Sequence, residues 1–172
     1  MTKELVRLAT LDSSILSVQT ETWVVVVSLG KPTSSHPLTQ LLLEKIHVEQ
    51  LVNTLKVVHD EGIIHRDVRV SNIFWLSDQE VLLNDWGASV LNNEATLYAG
   101  APSPHIHPEI PRSDMYLPSA RHDLYSLVSS LSLLLMPGVG DKSRRKFIDG
   151  AFQAANACDY ELLTEKLKEL MR

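Results

Sequence analysis

The sequence predicts an α+β domain in which helices carry most of the core and strands are short. Three observations lead there. From Leu38 to Asp60, Leu42, Ile46, Leu51, Leu55 and Val58 recur at helical spacing, with Glu44, Lys45 and Glu49 turned outward. Ala120 to Met136 is almost wholly apolar after Asp123, as a buried helix requires. The β-branched runs are brief and set off by turn residues.

Taken in order, Glu4 to Leu8 reads as a short helical end. Ile15 to Gln19 and Trp23 to Val27 read as two strands split by Thr20-Glu21-Thr22. Gly30, Pro32 and Ser34-Ser35 mark a loop. The long helix ends at Gly62, a residue suited to a left-handed stop. Ile63-Ile64, Ile73 to Leu76 and Val81 to Leu83 suit strands, the last two joined by Ser77-Asp78-Gln79. Ala88 to Pro118 holds Pro102, Pro104, Pro108, Pro111 and Pro118, so no regular element is expected there. A loop of this length in a small domain is usually functional or disordered. Lys146 to Ala157 and Tyr160 to Met171 read as closing helices, with Asp159 as N-cap of the second.

Composition narrows the function classes. With 172 residues, 44% hydrophobic and 22% charged, the chain suits one globular domain and excludes a disordered tail or a disulfide scaffold. A net charge of −5 gives no general basic field for nucleic acid or an anionic membrane. Cys158 is the single cysteine and has no internal disulfide partner. The longest apolar runs fall well short of a membrane span, and Met1-Thr2-Lys3-Glu4 lacks the apolar stretch of a secretory signal. The expected compartment is intracellular, cytoplasmic or nuclear. Lys142-Ser143-Arg144-Arg145-Lys146 reads either as a nuclear import signal or as a solvated helix start, the commoner case.

Four signals carry the chemistry, and they come in one order. His65-Arg66-Asp67 is followed by four residues and Asn72. Asp85-Trp86-Gly87 comes directly after an apolar run. His107-Pro108-Glu109 ends the proline-rich stretch, and Asp123 opens the buried helix. Any one alone could be a loop with a satisfied histidine and a surface ion pair.

Together they resemble the large lobe of a eukaryotic-type protein kinase, with short β-hairpins and a remnant of the small-lobe sheet. The resemblance implies residues 1–30 as remnant of the small lobe and hinge, and 31–172 as large lobe. Within that lobe, 65–72 would be the catalytic loop and 85–109 the activation segment. It further implies ATP and Mg²⁺ as cofactors and a protein hydroxyl as acceptor. Asp67 resembles the catalytic aspartate that accepts the hydroxyl proton. Asn72 and Asp85 match the two magnesium ligands, hard oxygens of the kind that cation prefers. Arg69 falls where Ser/Thr kinases carry Lys, and could clamp the transferring phosphate or be a solvated cation. Tyrosine kinases place their Arg where this chain has Ser71. His65 and Trp86 match the stacked column joining the lobes. Glu109 would pair a distant arginine, Arg144 or Arg145 being the candidates. Arg66 would answer a phosphate on the loop, at Thr96 or Tyr98.

The small-lobe parts are thin. Val27 to Gly30, Leu29 among them, would meet adenine, with Phe74 as the floor beneath it. Glu4 falls near the position of the Lys-pairing glutamate, although a surface glutamate is the plainer reading. The 172 residues contain no Gly-rich phosphate loop and no Val-Ala-Ile-Lys strand, and Ala101 stands where a threonine usually braces the catalytic loop. The readings that remain are an ATP- and Mg²⁺-dependent Ser/Thr-type kinase, working either as this truncated chain or only with its missing lobe supplied by a longer chain or a partner; a pseudokinase-like binding scaffold; and a fragment of a longer chain. A small-molecule kinase ranks below these, since Pro108-Glu109 is not expected there. An exposed edge at Val24 to Val27 would call for a partner that covers it.

Overall fold

A computed structural model describes residues 31–32, 44–77, 79–98, 103–135 and 142–171. The expectations for Glu4 to Leu8, Ile15 to Gln19, Trp23 to Val27 and Leu29 lie outside them.

Helix α1 (Lys45–Asp60) is amphipathic because Val48, Leu51, Val52, Leu55 and Val58 fall on one stripe, and all five are buried. It begins at Lys45 because Glu44 is extended, and the Glu44 N–H donates to His47 Nδ1 at 2.8 Å. Ile46, expected on the buried face, lies off that stripe and is exposed. Gly62 ends the helix at φ 75°, where a side chain would be strained.

Among the described residues, seven short strands follow the sequence expectations in part. β1 (Lys31–Pro32), β3 (Ile73–Ser77) and β4 (Glu80–Leu83) form one antiparallel sheet in the order β1-β3-β4. Pro32, expected in a loop, instead sits opposite Phe74 on the edge of that sheet, where its missing N–H costs least. Gln50 of α1 holds the β3–β4 turn: its Nε2 donates to the Gln79 carbonyl at 2.7 Å, and its Oε1 accepts the Val81 N–H at 3.0 Å.

The other four strands come in two pairs. β2 (Ile63–Ile64) pairs with β5 (Val90–Leu91), and β6 (Thr96–Leu97) pairs with β7 (Met115–Tyr116). Three of these strands correct the expectation of an irregular stretch from Ala88 to Pro118. They use its proline-free parts, where backbone N–H groups remain to donate.

Helices α2 (Ala120–Leu135), α3 (Lys142–Asn156) and α4 (Tyr160–Glu169) close the fold against α1. Leu124, Leu127, Val128 and Leu131 of α2 join Ala151, Ala154 and Ala155 of α3 and Leu163 and Leu167 of α4 in the core. The expectation for α2 holds along most of its length, though Leu133 is exposed. Three serines of α2 find acceptors, Ser126 on His122 O, Ser129 on Pro104 O and Ser130 on Val68 O, while the buried Ser132 Oγ has none among the described residues. α3 starts at Lys142 rather than Lys146, and Cys158 at φ 54° makes the turn that ends it. Asp159 caps α4 as expected, its Oδ1 accepting Leu162 N–H at 2.9 Å.

Candidate active site

The β2–β3 connection, residues 65–72, is held from beneath by α2. Asp123 is almost wholly buried, and its two oxygens accept the N–H groups of His65 at 2.6 Å and Arg66 at 2.8 Å. His59 of α1 donates Nε2–H to Asp123 Oδ2 at 2.9 Å, and its Nδ1 accepts the Tyr160 hydroxyl at 2.7 Å. A chain of contacts thus runs from α4 through α1 and α2 to the loop. It holds Arg66 at φ 71°, a left-handed conformation that a non-glycine residue adopts only with support.

His65 faces the other way. Its Nε2 meets the Asn84 carbonyl at 3.0 Å, its Nδ1 accepts the Asp67 N–H at 3.2 Å, and its ring packs against Trp86 at 4.4 Å, tilted by 58°. Burial pushes its imidazole below the usual range, against the pull of Asp123. The His65–Trp86 contact read from the sequence is therefore present, while the small-lobe residues such a column would reach lie outside the described residues.

Asp67 and Asn72 are brought together. Asn72 is buried, and its Nδ2 donates both to the Asp67 carbonyl at 2.9 Å and to Asp67 Oδ2 at 2.8 Å. That spends the Asn72 donor and leaves Oδ1 facing only the Ser71 hydroxyl, at 3.4 Å, among the described residues. Arg69 Nη2 lies 3.2 Å from Asp67 Oδ2, so Arg69 is here an exposed ion-pair partner of Asp67. The Asn84 N–H donates to the Asn72 carbonyl at 2.8 Å and ties the loop to the end of β4. Asp85 follows, exposed and left-handed at φ 64°. A Cβ on Gly87 would stand 3.5 Å from Asp85 Oδ1, an ordinary contact, so space alone does not require glycine there. Phe74 is half-buried on β3, opposite Leu82.

The proline-rich segment docks on α2 and α3. His107 meets Asn156 Oδ1 at 3.0 Å, and its ring packs edge-on to Tyr125 at 4.8 Å and to His122 at 5.1 Å. Glu109 pairs with Arg121 at 2.6 Å, which supplies an arginine neither proposed candidate anticipated. Arg66 is engaged: Nη1 donates to Ala88 O at 3.0 Å, Nη2 to Leu97 O at 2.8 Å, and Nε to the Tyr116 hydroxyl at 3.4 Å. Sequence reasoning missed His59, Tyr160, Arg121 and His105. His105 arrives 4.0 Å from Asp67. No linear spacing marks these four, because they meet the site only through packing.

The chain belongs to the protein kinase domain family, whose pattern matches residues 31–145. It is 32% identical over 91 residues to the rat "Interferon-induced, double-stranded RNA-activated protein kinase", an alignment of 51% of this chain and 17% of that protein. It is 41% identical over 61 residues to the "Serine/threonine-protein kinase US3 homolog" of Gallid herpesvirus 2, covering 35% of this chain and 14% of that one. With mouse "Mitogen-activated protein kinase kinase kinase 4" it shares 37% over 57 residues, covering 33% of this chain and 4% of the other. The matched part is thus a small share of each of these relatives.

The donor set suits the metal that the family implies. Asn72 Oδ1 and the Asp85 carboxylate are hard oxygens near the ends of two strands that pair with each other, the kind of ligand magnesium takes. Among the described residues no helix is long and apolar enough to cross a membrane.

Proposed function

We propose that this chain is the catalytic lobe of a Ser/Thr-type kinase that moves the γ-phosphate of ATP, with Mg²⁺, to a protein hydroxyl. The observation that supports it best is the Asp67–Asn72 pair, held at 2.8 Å on a loop that Asp123 fixes from below. On this reading Asp67 takes the proton of the acceptor hydroxyl. Asn72 orients Asp67 through Nδ2 and presents Oδ1 to the metal, with Asp85 as the second ligand. The bound metal would neutralise charge on the phosphates. Arg69 reaches the phosphate only by giving up its ion pair with Asp67, a small cost at an exposed position. Leu29 and Phe74 would border the adenine.

A second reading is a binding module that presents this lobe to a partner without turnover. It is favoured by Leu97, Met115 and Leu117, large apolar side chains exposed along the β6–β7 pair.

Two measurements on the 172-residue chain decide between them. Nucleotide with Mg²⁺ at a hundredfold its dissociation constant stabilises by about 2.7 kcal/mol, on the order of 5–10 °C in melting temperature. The kinase reading requires that shift, its loss in Asp85→Asn, and phosphotransfer that disappears in Asp67→Asn. A cooperatively melting chain with no shift and no transfer would leave the binding module and the fragment of a longer chain.

A further inference from the structure

The two oxygens of Asp67 are not equivalent. Oδ2 accepts from Asn72 at 2.8 Å and faces Arg69 at 3.2 Å. Oδ1 has a different neighbour, His105, whose Nε2 stands 4.0 Å away. The far side of that imidazole is held as well, with Ser103 Oγ 2.5 Å from Nδ1. The His105 side chain is only 14% exposed, so its place over Asp67 is set by packing.

Ser103 determines the chemistry that His105 presents. When the hydroxyl donates to Nδ1, the neutral ring carries its proton on Nε2, aimed toward a carboxylate oxygen. Burial pushes His105 below its ordinary range and Asp67 pulls the other way, with Arg69 adding to the lowering. The gap of 4.0 Å is too long for a direct hydrogen bond. It suits one intervening oxygen, since an atom about 2.8 Å from both groups completes the triangle.

We propose that His105 is an acceptor-binding residue: its Nε2–H and Asp67 Oδ1 hold the substrate hydroxyl between them, and Ser103 is the positioning residue that fixes the tautomer. The proposal rests on the phosphotransferase reading of this same site. In the step, the acceptor oxygen forms a bond to the γ-phosphorus of ATP, and its proton passes to Asp67 Oδ1. The bond from the γ-phosphorus to the bridging oxygen breaks, and its electron pair leaves with ADP. His105 exchanges no proton; it donates one hydrogen bond and so orients the attacking oxygen.

The test uses the full chain and begins with a readout that needs no turnover. Nitrogen–proton correlation spectra of the histidine rings report tautomer, and the His105 signal is the one lost in His105→Gln. The Nε2–H form is expected, with Ser103→Ala mixing the tautomers and Asp67→Asn moving the His105 shifts. Kinetics follow. His105→Ala should lower kcat about a hundredfold while KM for ATP stays within about twofold. His105→Gln, whose amide N–H reaches a similar place, should recover most of the loss.

A His105 signal indifferent to both Ser103→Ala and Asp67→Asn overturns the proposal, whether or not the chain is active. Wild-type turnover in His105→Ala overturns it and leaves the kinase reading standing. Coupled spectra in a chain that transfers no phosphate overturn the kinase reading and this proposal with it.

Discussion

Asp123 accepts the backbone N–H of His65 at 2.6 Å from within the core, so one helix carboxylate sets the course of the whole loop. The Arg66 N–H and His59 share the same carboxylate. Asp123→Ala would leave two buried N–H groups and an imidazole without their acceptor. A loss of about 3 kcal/mol is expected. Asp123→Asn keeps one acceptor oxygen and should lose less. Urea midpoints of the two variants check the order; midpoints equal to that of wild type would remove Asp123 as the anchor.

The Asn72 amide donates to Asp67 Oδ2 at 2.8 Å, and the pair is uneven in charge. Asn72→Asp puts a second carboxylate against the first with almost no change in shape. One of the two must then hold a proton or the loop must open. The variant is expected to melt several degrees below wild type at pH 7 and to regain most of that near pH 5. A melting difference that does not change with pH would show that the two groups do not meet.

How far the sequence foretold this arrangement depends on whether a signal was local. The α1 stripe, the Asp159 cap and the order of His65, Asp67, Asn72, Asp85 and Asp123 are local or linear, and all could be read. Strands β5, β6 and β7 have two residues each, too few for any period to show. Arg121 answers Glu109 because α2 passes under the proline-rich segment, a fact of packing and not of spacing. His105 reaches Asp67 for the same reason. In the sequence Arg66 reads as the partner of a loop phosphate, and nothing in the chain order reveals the carbonyls of Ala88 and Leu97 that hold it here.

Stability should fall in mild acid through His122. Burial first, then the neighbouring His107 and Arg121, lower it from 6.5 to about 4. The unfolded chain therefore takes up a proton that the folded chain refuses. The contribution is complete above about pH 6.5 and is lost progressively as pH falls toward about 4. On the order of 2 kcal/mol is at stake. His122→Asn retains an acceptor for the Ser119 N–H, which His122 Nδ1 accepts at 3.0 Å, but cannot titrate. Its urea midpoint should change less between pH 7 and pH 4.5 than wild type, and an identical pH dependence would assign the acid sensitivity elsewhere.

Gly62 joins α1 to the loop that carries the site. It has φ 75°, its carbonyl accepts the Asn92 N–H at 2.8 Å, and a Cβ there would meet the Asn92 side chain no closer than 3.6 Å. Space is therefore not the obstacle to a side chain; the backbone angle is. Gly62→Ala should cost about 1 kcal/mol, and Gly62→Asn, which tolerates the left-handed region better, should cost less. The strain would fall just before β2 and so displace His65 relative to Asp123. For that reason Gly62→Ala should also weaken the protection of the His65 and Arg66 amides against hydrogen exchange. A stability loss without that local change would show that Gly62 acts on the helix end alone.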